Sequence, residues 1–358
     1  MFDINGLLLE SRERGASDVH LKVESPPVLR VDGLLERLDG QLMSESDIEE
    51  ALKQMACEDE LEKLQSTNEL DLDYEIVDVS RFRVNVCRED GNLRIVLRLV
   101  PLAPPTIEQL ELPQVLKDVC KQKSGLVLVT GHAGCGKSTT LAAMVDEINT
   151  SEPRHIITIE DPIEFLHTDK TGMITQRQVG FDTHSFGNGL RAALRQDPDV
   201  ILIGEMRDLE TFETGIRSAE TGHLVMSTLH TTNAVESLNR VMDMFPQHRQ
   251  GEMKKHLAAV LRAIVSQRLV RRKDDTGRVA AVEVLIGNPT VKEFVETAKS
   301  FGDIHKLMED GYSTYGMQTF DQALYDLWKD GIIADQTALE AATSPKNLSL
   351  MMDGLAKR

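Results

Sequence analysis

The stretch that decides the fold reads Gly131-His-Ala-Gly-Cys-Gly-Lys-Ser138. It follows an apolar run, Leu126-Val-Leu-Val129, and leads into Thr139-Thr-Leu-Ala-Ala-Met144, so the pattern G-x-x-x-x-G-K-S stands between an expected strand and an expected helix. Glycines let backbone N–H groups turn inward, and a helix N-terminus adds the positive end of its dipole. The stretch therefore predicts an α/β domain whose phosphate-binding loop takes a nucleoside triphosphate.

Two side chains of this loop have specific expected tasks. We expect Lys137 to reach the β- and γ-phosphates and the Ser138 hydroxyl to bind Mg²⁺, so ATP and Mg²⁺ are the predicted cofactors. The other loop positions are expected to contact the nucleotide mainly through the backbone: Gly131, Gly134, Cys135, Gly136 and Thr139.

Cys135 supports two interpretations. It lies at a helix N-terminus beside Lys137, and both features favour the thiolate, which predicts a reactive thiol that alkylation would block. Alternatively, it is a small residue that replaces serine for its size alone.

Composition limits the class of protein. The chain has 358 residues, 41% of them hydrophobic and 27% charged, which is ordinary for a globular chain with two domains. Its net charge of −18 does not indicate the positively charged surface that is typical of nucleic-acid-binding proteins. It has no apolar run of membrane-spanning length, no signal peptide and no C-x-x-C pair. We therefore expect a cytoplasmic protein without nucleic-acid binding or membrane insertion.

A proline-rich segment, Pro101-Leu-Ala-Pro-Pro105, predicts a division of the chain. We expect an N-terminal α+β domain at residues 1–100, a linker at 101–112, and a P-loop domain with a C-terminal helical region at 113–358. Within the first domain, Ser46 and Glu49 are placed as a capping box for a helix over residues 44–64, and Asp32-Gly33 as a hairpin turn.

Charged residues follow three apolar segments of the second domain, at residues 155–159, 200–203 and 224–229. Apolar strands that alternate with helices along the chain predict a parallel sheet, and the carboxyl edge of such a sheet binds ligands. We expect Glu205 to hold Mg²⁺ or its waters and His230 to hydrogen-bond the γ-phosphate. One of Glu160, Asp161 and Glu164 is expected to polarise the attacking water. An arginine finger is expected from the first domain or from another subunit.

Two further segments show helical patterns. Apolar residues spaced from Met253 to Leu269 predict one helix through residues 253–273 that packs against the core. Thr319 and Gln322 predict a capping box at the start of a later helix.

Further motifs are spread along the chain: Ala16-Ser-Asp-Val-His-Leu21, Arg81-Phe-Arg-Val-Asn85, Ile159-Glu-Asp-Pro-Ile-Glu164, Leu202-Ile-Gly-Glu-Met-Arg-Asp208, Ala219-Glu-Thr-Gly-His-Leu-Val225 with Thr228-Leu-His-Thr231, and Gly316-Met-Gln-Thr-Phe-Asp-Gln322. They resemble motifs of the type II/IV secretion ATPases, and in particular the PilT family of type IV pilus retraction ATPases. Residues 159–164 resemble the aspartate box of these proteins, residues 202–208 their Walker B motif, and residues 219–231 their histidine box. The similarity runs from about Ala16 to the last residues.

This resemblance implies a homo-hexameric ring motor with a PAS-like N-terminal domain and a RecA-like ATPase domain. It also implies that Glu164 is the general base and Glu205 the Walker B acid, and that His223 and His230 are the histidine-box residues. Arginines of the N-terminal domain would approach the γ-phosphate, with Arg83 the best match and Arg81 and Arg98 close behind. The ring would act on an inner-membrane platform protein, so the cytoplasmic motor would be recruited to the membrane and drive pilus retraction in twitching motility.

Alternative functions remain at this stage. A pilus-extension or secretion ATPase shares the core motifs, but those proteins carry a longer N-terminal region and a C-x-x-C zinc insert that this chain lacks. A non-hydrolysing accessory paralogue would bind ATP without turnover. A nucleic-acid-translocating motor is disfavoured by the net charge of −18.

Overall fold

The computed structural model describes residues 2–31, 33–76, 80–101 and 103–355. The chain divides into two compact units, Met1–Ala103 and Pro104–Arg358. Ile107 and Leu112 are buried in the core of the second unit, although the sequence assigned both to a linker. The assignment of residues 1–100, 101–112 and 113–358 to two domains and a linker stays a prediction.

The first unit is an antiparallel sheet with helices, ordered β3-β2-β1-β6-β5-β4. One face of the sheet packs with the helices around Leu21, Phe82 and Leu97. The elements are α1 (Ile4–Glu13), β1 (Ala16–Lys22), β2 (Val28–Val31), β3 (Leu34–Arg37), α2 (Glu45–Met55), α3 (Glu58–Thr67), β4 (Glu69–Ile76), β5 (Ser80–Glu89) and β6 (Asn92–Val100).

Two local predictions for this unit differ from the structure. The helix expected over residues 44–64 is two helices, because the backbone of Ala56 and Cys57 is extended. The capping box at its start is formed by Ser44 and Asp47, two residues before the predicted pair Ser46 and Glu49. The hairpin turn predicted at Asp32-Gly33 includes Asp32, which lies outside the described residues.

The second unit contains a mostly parallel seven-stranded sheet ordered β13-β12-β7-β11-β10-β8-β9, in which only β12 and β13 pair antiparallel. The predicted α/β class is confirmed. The strands are β7 (Gly125–Thr130), β8 (His155–Glu160), β9 (Met173–Gln178), β10 (Val200–Glu205), β11 (Leu224–Leu229), β12 (Leu261–Arg271) and β13 (Arg278–Ile286). The helices are α4 (Val115–Cys120), α5 (Lys137–Ser151), α6 (Phe186–Ala193), α7 (Leu209–Glu220), α8 (Ala234–Asp243), α9 (Gln247–Val260), α10 (Pro289–Thr297), α11 (Ile304–Asp310), α12 (Tyr312–Tyr315), α13 (Phe320–Lys329), α14 (Asp335–Ala341) and α15 (Pro345–Met352).

The single helix predicted over residues 253–273 is wrong. Helix α9 ends at Val260, and the chain continues at once as strand β12, between β7 and β13. A continuous apolar stretch fits a buried strand as well as a buried helix, and here the open position in the sheet decides. The capping box of Thr319 and Gln322 at the start of α13 is confirmed.

The lengths and compositions of the helices show whether any of them could cross a membrane. Among the described residues, no helix combines the length and the apolar character needed to cross a bilayer.

Candidate nucleotide site

The phosphate-binding loop runs from the end of β7 at Thr130 to the start of α5 at Lys137. Gly134 and Gly136 have φ angles of 74° and 92°, a left-handed conformation that glycine adopts without strain. Gly136 is the N-cap residue of α5, and no side chain caps this helix. The N–H groups of its first turn are therefore available to an anion.

Lys137 is the buried cation of this loop. Its Nζ donates to the carbonyl oxygens of Gly131 at 2.8 Å and His132 at 3.0 Å. An ammonium group has three N–H donors, so one remains for a phosphate oxygen. A Cβ atom on Gly131 would lie 2.7 Å from the carbonyl oxygen of Gln267, so a larger residue there would push the loop away from β12.

A cavity of about 310 Å³ opens beside the loop, at the carboxyl edge of the parallel sheet. The phosphate loop, α5 and the ends of β8, β10 and β11 all contribute to its wall. This is the edge at which α/β sheets bind ligands. The sequence-predicted site residues that line the cavity are Gly134, Lys137, Ser138, Glu160, Asp161, Glu164, Glu205 and His230.

The acidic residues after β8 differ in their surroundings. Glu160 accepts hydrogen bonds from Thr158 Oγ1 at 2.6 Å and Gln176 Nε2 at 3.2 Å. Burial raises the pKa of Glu160, while these hydrogen bonds oppose the rise. The exposed Glu164 carboxylate also lines the cavity. Since the Glu160 carboxylate is already bonded, Glu164 and Asp161 are better placed to receive a proton from water.

Glu205 lies at the end of β10, and its carboxylate has two neighbouring side chains, Arg207 and His230. Arg207 Nε lies 2.7 Å from its Oε2, and His230 Nε2 lies 3.5 Å from its Oε1. Asp208, which follows, caps α7 by accepting the Thr211 N–H at 2.8 Å. The strand end therefore places one carboxylate in the cavity and uses the other to start a helix.

Sequence reasoning gave no role to two ionisable residues of the cavity, Arg207 and His167. The position of Arg207, two residues after Glu205, was a usable signal, whereas His167 had none. Burial lowers the pKa of His167 to about 4, and Lys170 acts in the same direction against the opposing Asp146. His167 is therefore neutral at pH 7, and its buried Nδ1 has no hydrogen-bond partner among the described residues.

His223 is not brought to this cavity. It precedes β11, whereas His230 follows β11, so the two histidines lie at opposite edges of the sheet. His223 Nδ1 lies 2.9 Å from the Ser218 carbonyl oxygen, and its own carbonyl accepts the N–H of Gly125 at the start of β7. In this chain it therefore closes a turn rather than contacting the phosphate loop.

The three candidate arginines belong to the first unit. Arg81 and Arg83 lie on the same face of β5, and Arg83 is the cross-strand neighbour of Arg98 on β6. Arg81 pairs with Asp73 at 2.8 Å, and Arg98 with Asp18 at 2.8 Å. Their approach to a γ-phosphate stays a prediction.

The loop and cavity fit a nucleoside triphosphate and Mg²⁺. No group of three His, Cys, Asp or Glu side chains in the described part of the chain could hold a metal by itself. Magnesium usually keeps several waters and binds through one or two protein groups together with phosphate oxygens. Ser138 and Glu205, which line the same cavity, match that requirement.

Comparison with known proteins identifies the family. A sequence profile described as "Type II/IV secretion system protein" matches residues 2–317. The chain is 41% identical over 345 residues to the type IV pilus retraction ATPase PilT of Pseudomonas aeruginosa, which covers 96% of this chain and 99% of the relative. The chain belongs to the PilT branch of the type II/IV secretion ATPases.

Two other comparisons agree. A twitching motility protein of Neisseria gonorrhoeae is 40% identical over 323 residues, 90% of this chain and 86% of that protein. The crystal structure of the pilus retraction motor PilT with bound ADP superimposes with a TM-score of 0.88 at 42% identity, covering 98% of this chain and 99% of that one. The protein is therefore a nucleotide-binding ATPase, as predicted.

Proposed function

We propose that the protein is a homo-hexameric, Mg²⁺-dependent motor that hydrolyses ATP to drive type IV pilus retraction. The observation that carries this proposal is one cavity that joins Lys137 and Ser138 of the phosphate loop to Glu164 and Glu205 at two strand ends. The similarity to a retraction ATPase extends over 96% of the chain and supports retraction, rather than extension, of the pilus.

The residues divide the chemistry among them. Lys137 and the first-turn N–H groups of α5 bind and neutralise phosphate, while Ser138 and Glu205 hold Mg²⁺, which offsets charge on the phosphates. Glu164 accepts the proton of the attacking water, and His230 donates to the γ-phosphate. Arg83, with Arg81 or Arg98, supplies positive charge to the same phosphate from a neighbouring subunit.

The motor works at the cytoplasmic face of the inner membrane, where a pilus platform protein recruits it. The net charge of −18 supports a protein partner rather than nucleic acid. Force on the platform would remove pilin subunits from the base of the fibre, which produces twitching motility.

Mg-ATP turnover by substituted proteins tests the enzymatic part. Lys137→Ala removes a phosphate countercharge, so a fluorescent ATP analogue should bind more weakly. Glu164→Gln should keep nucleotide affinity and slow phosphate release by roughly 10²–10⁴-fold, the usual contribution of a positioned general base. Normal turnover in Glu164→Gln would move the base to Asp161 or Glu160.

Two further measurements separate the alternatives. A purified protein that binds ATP without releasing phosphate would be the accessory paralogue. In cells lacking the chromosomal copy, the wild-type gene should restore twitching on a surface, and Glu164→Gln should not. Loss of surface pili in the deletion strain, rather than their accumulation, would indicate an extension motor.

A further inference from the structure

The segment that joins β8 to β9, residues 161–172, carries Glu164 and is held by polar side chains with no role so far. Gln176, on β9, holds the part of the segment directly after Glu164. Its Oε1 accepts the His167 N–H at 2.8 Å, and its Nε2 donates to the Phe165 carbonyl oxygen at 2.9 Å and to Glu160 Oε1 at 3.2 Å. One amide side chain therefore holds the segment just after Glu164 and also bonds to Glu160, the last residue of β8 before the segment.

Glu160 continues these contacts to Glu164 itself. The backbone N–H of Glu164 favours the charged form of the Glu160 carboxylate, whose Oε1 accepts hydrogen bonds from both Gln176 and Thr158. Thr158 and Gln176 are register partners on β8 and β9, so both donors come from the sheet. A glutamine suits this place because it offers donors and an acceptor together.

Other side chains hold the flanks of the same segment. Gln178 Oε1 accepts the N–H of Ile163 at 3.1 Å, next to Glu164. Asn149, on α5, donates to the Thr168 carbonyl oxygen at 2.8 Å and accepts the Lys170 N–H at 3.2 Å. These bonds fix the start and end of the segment, while Gln176 bonds to Glu160 before Glu164 and to Phe165 and His167 after it.

We propose that Gln176 is a positioning residue for the reaction, which holds the backbone around Glu164 so that its carboxylate is directed at the attacking water. This inference rests on the proposed role of Glu164 as the general base. Sites built on strands hold a reacting group more precisely than loops do, and misplacement by about 1 Å can cost about 10²-fold in rate.

The test uses Gln176→Met in the full-length protein, because methionine keeps the length of the side chain and removes its hydrogen bonds. We expect kcat for Mg-ATP to fall by roughly 10–100-fold, as it does when groups that orient a reacting residue are removed. Since Gln176 does not touch the phosphate loop, the affinity for a fluorescent ADP analogue should stay within about twofold.

Coupling to Glu164 separates positioning from a general loss of structure. In single-turnover phosphate release, Gln176→Met should have little further effect in a protein that already carries Glu164→Gln, because residues that act as a unit are not additive. An undiminished second loss in the double variant would overturn the proposal, as would an unchanged kcat in Gln176→Met alone. A matching loss of ADP affinity would also overturn it.

Gln250 provides a matched control. It is half-buried on α9, and its Nε2, like that of Gln176, donates two hydrogen bonds, here to the carbonyl oxygens of Met242 at 3.1 Å and Phe245 at 3.2 Å. Gln250→Met should lower the thermal unfolding midpoint about as much as Gln176→Met does and leave kcat unchanged. If Glu164→Gln alone turns over ATP normally, the general-base assignment fails. If Glu164→Gln is slow and Gln176→Met is normal, only the present inference fails.

Discussion

At the scale of single residues, Cys135 shows how burial overrides a local pattern. Its position beside Lys137 at a helix N-terminus favours the thiolate. The structure leaves the side chain only 6% exposed, and burial raises the pKa of Cys135 although Lys137 opposes the rise. Both effects disfavour the reactive thiol, which stays a prediction that labelling can test. The alternative, a small side chain packed under Gly131, agrees with the contact between their positions.

This difference predicts an order of alkylation. At pH 7.5 in the absence of nucleotide, iodoacetamide should label the exposed Cys57 and leave Cys135 unmodified, because a raised pKa and burial both reduce the reactive thiolate. Cys120, which is buried with a raised pKa, serves as a second protected site. Peptide mass spectrometry over time would measure the order. Labelling of Cys135 ahead of Cys57, with protection by Mg-ATP, would contradict it.

Of the other predicted site residues, the structure brings some into the cavity and leaves His223 outside it. Lys137, Glu164, Glu205 and His230 meet in one cavity, as expected from strands that end beside a phosphate loop. His223 belongs to the same sequence motif as His230 but lies at the other edge of the sheet, because a strand of six residues separates them. A sequence motif that spans a strand does not show which of its residues lies at which edge of the sheet.

At the scale of elements, the change from α9 to β12 depends on a close approach that only a small residue permits. Gly287 follows β13, and a Cβ atom there would overlap the carbonyl oxygen of Leu261 and lie 2.7 Å from its carbonyl carbon. Leu261 is the first residue of β12. The helix can therefore pass directly into a strand because the residue that follows the neighbouring strand is glycine.

Two alanine substitutions test this account. Gly287→Ala should destabilise the protein by about 1–3 kcal/mol, the usual cost of forcing extra atoms into a packed site. Gly251→Ala, inside α9 and with no atom near the added Cβ, should instead stabilise it by up to about 1 kcal/mol, because alanine favours the helix. Thermal unfolding of both variants beside the wild type would measure the effects. Equal midpoints for the two variants would refute the steric explanation.

At the scale of the whole molecule, the proposed hexameric ring leads us to expect that each active site contains residues of two neighbouring subunits. If Arg83 acts on a neighbour's γ-phosphate, Arg83→Ala and Glu164→Gln should each be inactive alone, since a finger contributes about 10³-fold or more. Mixed rings would contain some sites with intact Glu164 and an intact neighbouring Arg83. Phosphate release from mixtures at several ratios should therefore exceed that of either protein.

A mixture of Lys137→Ala with Glu164→Gln is the control for this experiment. Both residues belong to the second unit and line one cavity, so every site in such a mixture lacks one of them. That mixture should stay inactive. The absence of rescue in the Arg83 mixture as well would show that Arg83 acts within its own subunit or has a structural role.

The sequence by itself determined the phosphate loop, the α/β class and the residues at the ends of β8, β10 and β11. Glycine conformations and short apolar runs are local properties, so a single stretch such as residues 126–144 predicts them. Only the tertiary structure decided that residues 261–271 form a strand, that Cys135 is buried and that Gln176 bonds to Phe165 and His167 just after Glu164 and to Glu160 before it. These properties depend on neighbours distant in the chain, through burial and hydrogen bonding, which no local pattern contains.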